Sequence, residues 1–166
     1  MADRKLKFWG WGYEDAGLTG DETSALLKTF ADGFGIRPTT EGTRPGIEDI
    51  TLAAPRLTPP ASLATVCTTE PFERILHSFG QSLPDSIRIF AHDFAHAPDV
   101  VAYPGNGDDI RALYDWAGEA GAAVIPYGAG SSVVGGVTPD VGDGFAGTVT
   151  VDLTRLNKGL EVDAVS

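Results

Sequence analysis

The chain has 166 residues, 42% of them hydrophobic and 21% charged, a composition that suits one ordinary domain or one domain with an appendage. Its 23 Asp and Glu against 12 Lys and Arg leave a formal charge of −11, which argues against sequence-independent nucleic-acid binding and against adsorption to anionic lipid. The single cysteine, Cys67, leaves no internal disulfide or thiolate metal site, and no stretch is long and apolar enough to span a bilayer or serve as a secretory signal. A reducing cytoplasm is the expected location, with no nucleic acid among the partners.

In chain order, Trp9, Trp11 and Tyr13 alternate near the N-terminus, a pattern that suits packing of that end onto a body better than ligand contact. Thr19-Gly20-Asp21-Glu22 opens a helix, with Thr19 or Asp21 as cap, Ala25, Leu26 and Phe30 on its apolar side, and Gly33 and Gly35 as its stop. Five prolines (38, 45, 55, 59 and 60) then mark an extended connector. Cys67 has no flanking base and reads as an inert thiol. A second helix begins at Glu70-Pro71, carries Phe72, Ile75, Leu76 and Phe79 at helical spacing, and stops at Gly80. On it, His77 and Glu73 are four apart and read as a surface pair. The stretch from Asp85 to Ala97 leans to helix. His92 and His96 within it have metal-ligand spacing, but no further ligand accompanies them, so no metal site is expected.

From residue 95 the pattern changes. Val100 to Tyr103 is a short apolar strand, Asp108 caps a helix with Ile110, Leu113, Tyr114 and Ala117 on one face, and Gly121 ends it. Ala122 to Pro126 is a second apolar strand, so the two strands and their helix form a βαβ unit with parallel pairing. Thr148 to Leu153 alternates like a strand with one wet face, after a solvated acidic loop between Asp140 and Asp143. Asn157-Lys158-Gly159 signals a turn, and Leu160 to Val165 alternates again as a last strand. A chain that stops inside a strand leaves an open edge, so this one is expected to be the front end of something longer.

Glycine is the compositional outlier: nine of the 21 fall between Gly118 and Gly147, which marks where function is expected. In Pro126-Tyr127-Gly128-Ala129-Gly130-Ser131-Ser132, glycines two apart followed by two hydroxyls let successive backbone N–H groups converge on an anion. A P-loop needs Gly-Lys-Ser/Thr, and no lysine lies between Lys28 and Lys158. The common dinucleotide fingerprint needs a third glycine where Val133 stands and belongs after the first strand of its βαβ unit. A nucleophile elbow needs glycine where Val134 follows Ser132. The plain alternative is that these glycines only build tight turns.

Pro98-Asp99-Val100-Val101 with Pro104, then Pro126-x-Gly128-x-Gly130-Ser131-Ser132, then Leu153-x-x-Leu156-Asn157 with Glu161-Val162-Asp163, resemble in order the FAD-binding domain of the vanillyl-alcohol oxidase and p-cresol methylhydroxylase (PCMH) family. Lys7-Phe8-Trp9-Gly10-Trp11-Gly12-Tyr13 and Arg74 to Ser82 are similar to segments of its alkyldihydroxyacetonephosphate synthase branch. The resemblance implies an α+β fold. A helical, proline-linked region (1–94) would precede the βαβ-containing, incomplete first part of a PCMH-type FAD-binding domain (95–166). It implies a noncovalent FAD whose diphosphate is held by Pro126, Tyr127, Gly128, Ala129, Gly130, Ser131 and Ser132, since Ser131 stands where some members carry a flavin-tethering histidine. The implied enzyme works in ether-lipid synthesis, on a small-molecule or lipid substrate bound by a domain absent here, with homo-oligomers possible. An FAD-linked 2-hydroxy-acid dehydrogenase and a non-catalytic truncated product are the alternatives. No catalytic residue is assigned.

Overall fold

A computed structural model of the chain describes residues 4–35 and 45–158. The predicted last strand, 160–165, lies outside them, as does the first proline of the connector.

The N-terminal segment doubles back on itself: Leu6 and Tyr13 pair as an antiparallel bridge, and Lys7 N–H donates to the Gly12 carbonyl at 3.0 Å. Helix α1 (Gly20–Phe34) starts at Thr19, whose side chain and that of Glu22 cap each other's backbone, and stops at Gly35. Helix α2 (Pro71–Leu76) is three residues shorter than its apolar spacing predicts, because the backbone leaves the helix at His77. Helix α3 (Leu83–Phe90) opens on a reciprocal cap between Ser82 and Asp85, and ends before His92, whose φ is +56°. His92 and His96 therefore share no helix face; His96 Nδ1 instead lies 3.6 Å from Asp140 Oδ1 across the exterior.

Four described strands form one sheet: β1 (Cys67–Thr68), β2 (Val100–Ala102), β3 (Ala122–Tyr127) and β4 (Gly147–Asp152), in the order β1-β2-β4-β3. Helix α4 (Gly107–Ala120) crosses from β2 to β3. Its cap is Asn106, not Asp108: the Asn106 side-chain oxygen accepts from the amides of Asp108 and Asp109 at 2.8 and 3.0 Å. The two strands this helix joins do not pair with each other. Both run parallel to β4, which inserts between them with Val101 and Ile125 opposite Thr150. β4 is buried along its whole length, with Leu113 over its valine face and His77 against Asp152 on the other, so Thr148 and Thr150 are not the wet face that alternation suggested. Thr148 spends its amide on Asp99 Oδ2 at 2.8 Å, while the Thr150 hydroxyl has no partner among the described residues.

Among the described residues two apolar cores result. Leu113 of α4 meets Val100, Ala102, Val149 and Val151 of the sheet, together with Leu57 and Leu63 from the preceding region. Phe8, Ile75, Phe79, Ile89 and Phe94 form the second, which closes the N-terminal hairpin over α2 and α3. Arg56 ties the regions together. Its amide and guanidinium both donate to Asp99, at 2.7 to 3.1 Å, just before β2.

Candidate functional site

β2, β3 and β4 run parallel, so their carboxyl ends lie at one edge, the edge where parallel α/β sheets place ligands. The glycine loop leaves β3 there, directly after Tyr127. None of the described hydrogen bonds is donated by a backbone amide of Gly128, Ala129, Gly130, Ser131 or Ser132. Five consecutive N–H groups with no acceptor among the described residues are a donor set that an anion can use.

The loop is held at both ends. Its start is fixed by Tyr127, whose buried ring donates from Oη to the Leu76 carbonyl at 3.3 Å, and burial pushes that hydroxyl up to about 12. Its end is fixed by the Ser132 carbonyl, which accepts from the Gln81 amide at 2.7 Å. Two glycines permit this. A Cβ on Gly130, where φ is +66°, would stand 2.2 Å from Tyr127 Oη. A Cβ on Gly80 would stand 2.2 Å from the Ser132 carbonyl oxygen. Gly80 therefore serves close approach of the loop rather than stopping a helix.

The predicted residues thus sit together on one loop but are not equivalent. Gly128, Ala129 and Ser131 are exposed, whereas Gly130 is buried in the turn. The Ser132 Oγ accepts from the amides of Gly136 and Val134 at 3.1 and 3.4 Å, which bends the chain back after the loop. Pro126, though exposed, is a residue of β3 and has no amide proton to donate.

A cavity of about 530 Å³ opens beside Gly128 and Ala129, with Glu73, His77, Tyr103 and Asp152 in its wall. These four were not legible as a site. His77 is 1% exposed, so it is no surface partner of Glu73. Its Nε2 lies 2.9 Å from Asp152 Oδ2 and its Nδ1 lies 2.7 Å from the Glu73 backbone oxygen. Burial opposes ionisation of Asp152, but hydrogen bonds from His77 and from the Thr154 amide and hydroxyl outweigh it and hold the carboxyl below its ordinary value. Tyr103 donates to the Glu73 carboxylate, and its hydroxyl is pushed well above the usual tyrosine range, by burial first and by Glu73 second. Spacing set His77 on the surface with Glu73; the apolar residues Phe72, Ile75, Leu76 and Phe79 around it are the signal that could have turned it toward the body.

Other residues keep smaller roles. Trp9 packs against the second core, whereas Trp11 and Tyr13 stay exposed, with Arg4 lying 4.2 Å over the Tyr13 ring. Burial pushes the Cys67 thiol up to about 11, away from the thiolate form. Among the described residues no helix is long and apolar enough to cross a membrane.

Residues 98–166 match the model of a family described as FAD binding domain. Alkyldihydroxyacetonephosphate synthase of Dictyostelium discoideum is 38% identical over 90 residues, which is 54% of this chain and 14% of that protein. The enzyme of the same name from Trypanosoma brucei brucei is 30% identical over 95 residues, 57% of this chain and 16% of that protein. A D-2-hydroxyglutarate dehydrogenase from Xanthomonas citri pv. viticola is 32% identical over 68 residues, 41% of this chain and 13% of that protein. A solved structure of alkyldihydroxyacetonephosphate synthase superposes on 96% of this chain and 34% of its own, at 25% identity and a TM-score of 0.75. The chain therefore spans about a seventh of the curated relatives' length and a third of the solved one's.

Proposed function

We propose, on the premise that residues 98–166 belong to the FAD-binding domain family, that the amides of Gly128 to Ser132 hold the diphosphate of a noncovalent FAD. The observation that carries this reading is the row of five amides without acceptors among the described residues, on a loop whose shape Gly130 and Gly80 set. The donor chemistry fits: fixed N–H groups stabilise phosphate oxygens without the lysine of a P-loop. The hydroxyl of Ser131, exposed on the loop, adds a donor, and its position offers no nitrogen for a covalent tether.

The whole protein is proposed to be an alkyldihydroxyacetonephosphate synthase-like enzyme of ether-lipid synthesis, in keeping with the names of its relatives. When bound, FAD supplies a ring that activates the substrate for replacement of its acyl group by a fatty alcohol. The described residues bind and orient the cofactor, and the bond changes belong to groups outside them. A D-2-hydroxy-acid dehydrogenase is the second reading, favoured by the dehydrogenase relative. Product analysis separates the two, since only the dehydrogenase passes electrons to an acceptor.

The test is flavin retention by the full-length protein and its Gly130→Asp variant. Wild type is expected to purify yellow and to release all its flavin on denaturation. Gly130→Asp is expected to fold, by circular dichroism, yet to lose FAD at least about 100-fold. Its side chain overlaps Tyr127 Oη, strains a positive φ and sets a carboxylate against the diphosphate. A fully loaded yellow variant overturns the loop assignment.

A further inference from the structure

The wall of the cavity beside the loop contains an arrangement that the binding of a diphosphate does not by itself require. His77 is almost fully buried, and each of its ring nitrogens faces an atom that only accepts hydrogen bonds. Nδ1 lies 2.7 Å from the Glu73 backbone oxygen, and Nε2 lies 2.9 Å from an oxygen of the Asp152 carboxylate. A neutral imidazole has one donor and one acceptor, so either tautomer would set a lone pair against a lone pair at one of these contacts. Both are satisfied together when both nitrogens carry protons. The other Asp152 oxygen accepts from the Thr154 amide at 2.7 Å and its hydroxyl at 2.5 Å, which suits an ionised carboxylate. The remaining groups around the ring agree with a cation there. The Glu73 carboxylate is 3.9 Å from Nδ1, and the rings of Tyr127 and Tyr103 lie 4.4 and 5.7 Å away. Of the cations nearby, Arg155 stacks 4.9 Å over Tyr103 rather than on the histidine, and Arg4 and Lys5 line the same cavity, Arg4 being held by Asp15 and Lys5 lying 3.1 Å from Glu14.

The connections of this ring run to the loop. Asp152 ends β4 and pairs in register with Tyr127, which ends β3 and starts the loop. His77 follows α2 directly and packs on the Tyr127 ring, while Tyr127 Oη reaches back to Leu76 in the same helix. We propose that His77 is a positioning residue for residues 128–132: an imidazolium that donates one ring proton to Glu73 and the other to Asp152, locking α2 onto the strand ends from which the loop departs. The inference rests on the reading of that loop as the FAD site but makes a separate claim about the ring.

Two measurements on the full-length protein test it. In the first, the ring nitrogens of His77 are observed by ¹⁵N NMR near pH 7. Both are expected to carry protons, and Asp152→Asn is expected to return the ring to a neutral tautomer. A neutral ring in the wild type overturns the proposal. In the second, the amide signals of Gly128 to Ser132 are followed without cofactor, and FAD affinity is followed with it. His77→Gln is expected to shift the loop amides, leave those of Val149 and Val151 in place, and weaken FAD about tenfold. Combining it with Asp152→Asn is expected to add little beyond either change alone, as for two residues acting as one unit. If His77→Gln leaves both the loop amides and the FAD affinity as in wild type, the positioning role is wrong. If it does not fold, Asp152→Asn provides the same loop and affinity readouts. If wild type takes up no FAD, the cofactor reading fails on its own, and the ring and the loop amides still decide the role of His77.

Discussion

Two helices of nearly equal length, α1 with 15 residues and α4 with 14, both start at side-chain caps and stop at left-handed glycines, yet α4 buries Leu113 and Ala117 while no residue of α1 is buried. Their local signals are equally good; what differs is connection. α4 joins two strands that flank β4, so short links lay its apolar face onto the sheet, and Leu113 is left 1% exposed. Leu26, Phe30 and Phe34 of α1 remain 45, 42 and 70% exposed. Caps and periodicity decide that a helix forms, and topology decides whether it contributes to global stability. The sharpest test compares leucines. Leu113→Ala should cost about 2–5 kcal/mol in urea unfolding, through lost burial plus a cavity. Leu26→Ala should cost less than about 0.5 kcal/mol, as exposed substitutions do. Similar losses at the two sites would break the comparison.

The same contrast recurs between two ion pairs. Arg4 grips Asp15 with both side chains largely in water, and Arg56 grips Asp99 with the carboxylate side chain only 3% exposed. Burial works against ionising Asp99. Hydrogen bonds from the Arg56 side chain and amide, then from the Thr148 amide, overcome it and lower its pKa below the ordinary value. A carboxyl whose folded value is depressed contributes stability that is present above its unfolded value, about 3.9, and disappears as pH falls through the folded one. Asp99→Asn should therefore cost roughly 1–3 kcal/mol near neutrality, as donors around it lose a charged acceptor. Its deficit against wild type should shrink as pH drops below about 4. Asp15→Asn should change little at any pH in physiological salt, where exposed pairs are screened. A deficit for Asp99→Asn that stayed constant to pH 2 would remove the charge from the explanation.

These contrasts also mark how far the sequence could be read. Thr19, Gly35, Pro71 and Gly121 act within a few residues, so the helices they bound were predictable from neighbours alone. The place of the glycine loop was legible for the same reason, since the run follows directly on an apolar strand. What escaped depends on partners far along the chain. β4 was read as half-wet because Thr148 and Thr150 alternate with valines, but Leu113 of α4 covers the valine face and His77 meets Asp152 on the other, contacts that only the fold reveals. His77 and Asp152 are 75 positions apart, and no local pattern joins a histidine just past a helix to an aspartate at a strand end. Gly80 was read as a helix stop because its neighbour across space, the Ser132 carbonyl, is equally remote in sequence.

The smallest expected effects lie at the caps, and there the two helices should part most cleanly. The Asn106 side chain accepts from two amides at the start of α4, and Thr19 with Glu22 satisfies the start of α1. Removing either cap leaves amides to water, at a local cost of about 1 kcal/mol. For α4 that cost is borne by the whole fold, because the helix cannot fray without uncovering Leu113 and the sheet beneath it. Asn106→Ala should therefore lower the global unfolding free energy by about 1 kcal/mol, read in urea. For α1 the fold has nothing buried at stake, so the first turn simply opens more often. Thr19→Ala should leave the urea midpoint within error while speeding hydrogen exchange of the α1 amides alone. A shifted midpoint would mean that α1 is coupled to the cores more tightly than its exposed apolar side indicates.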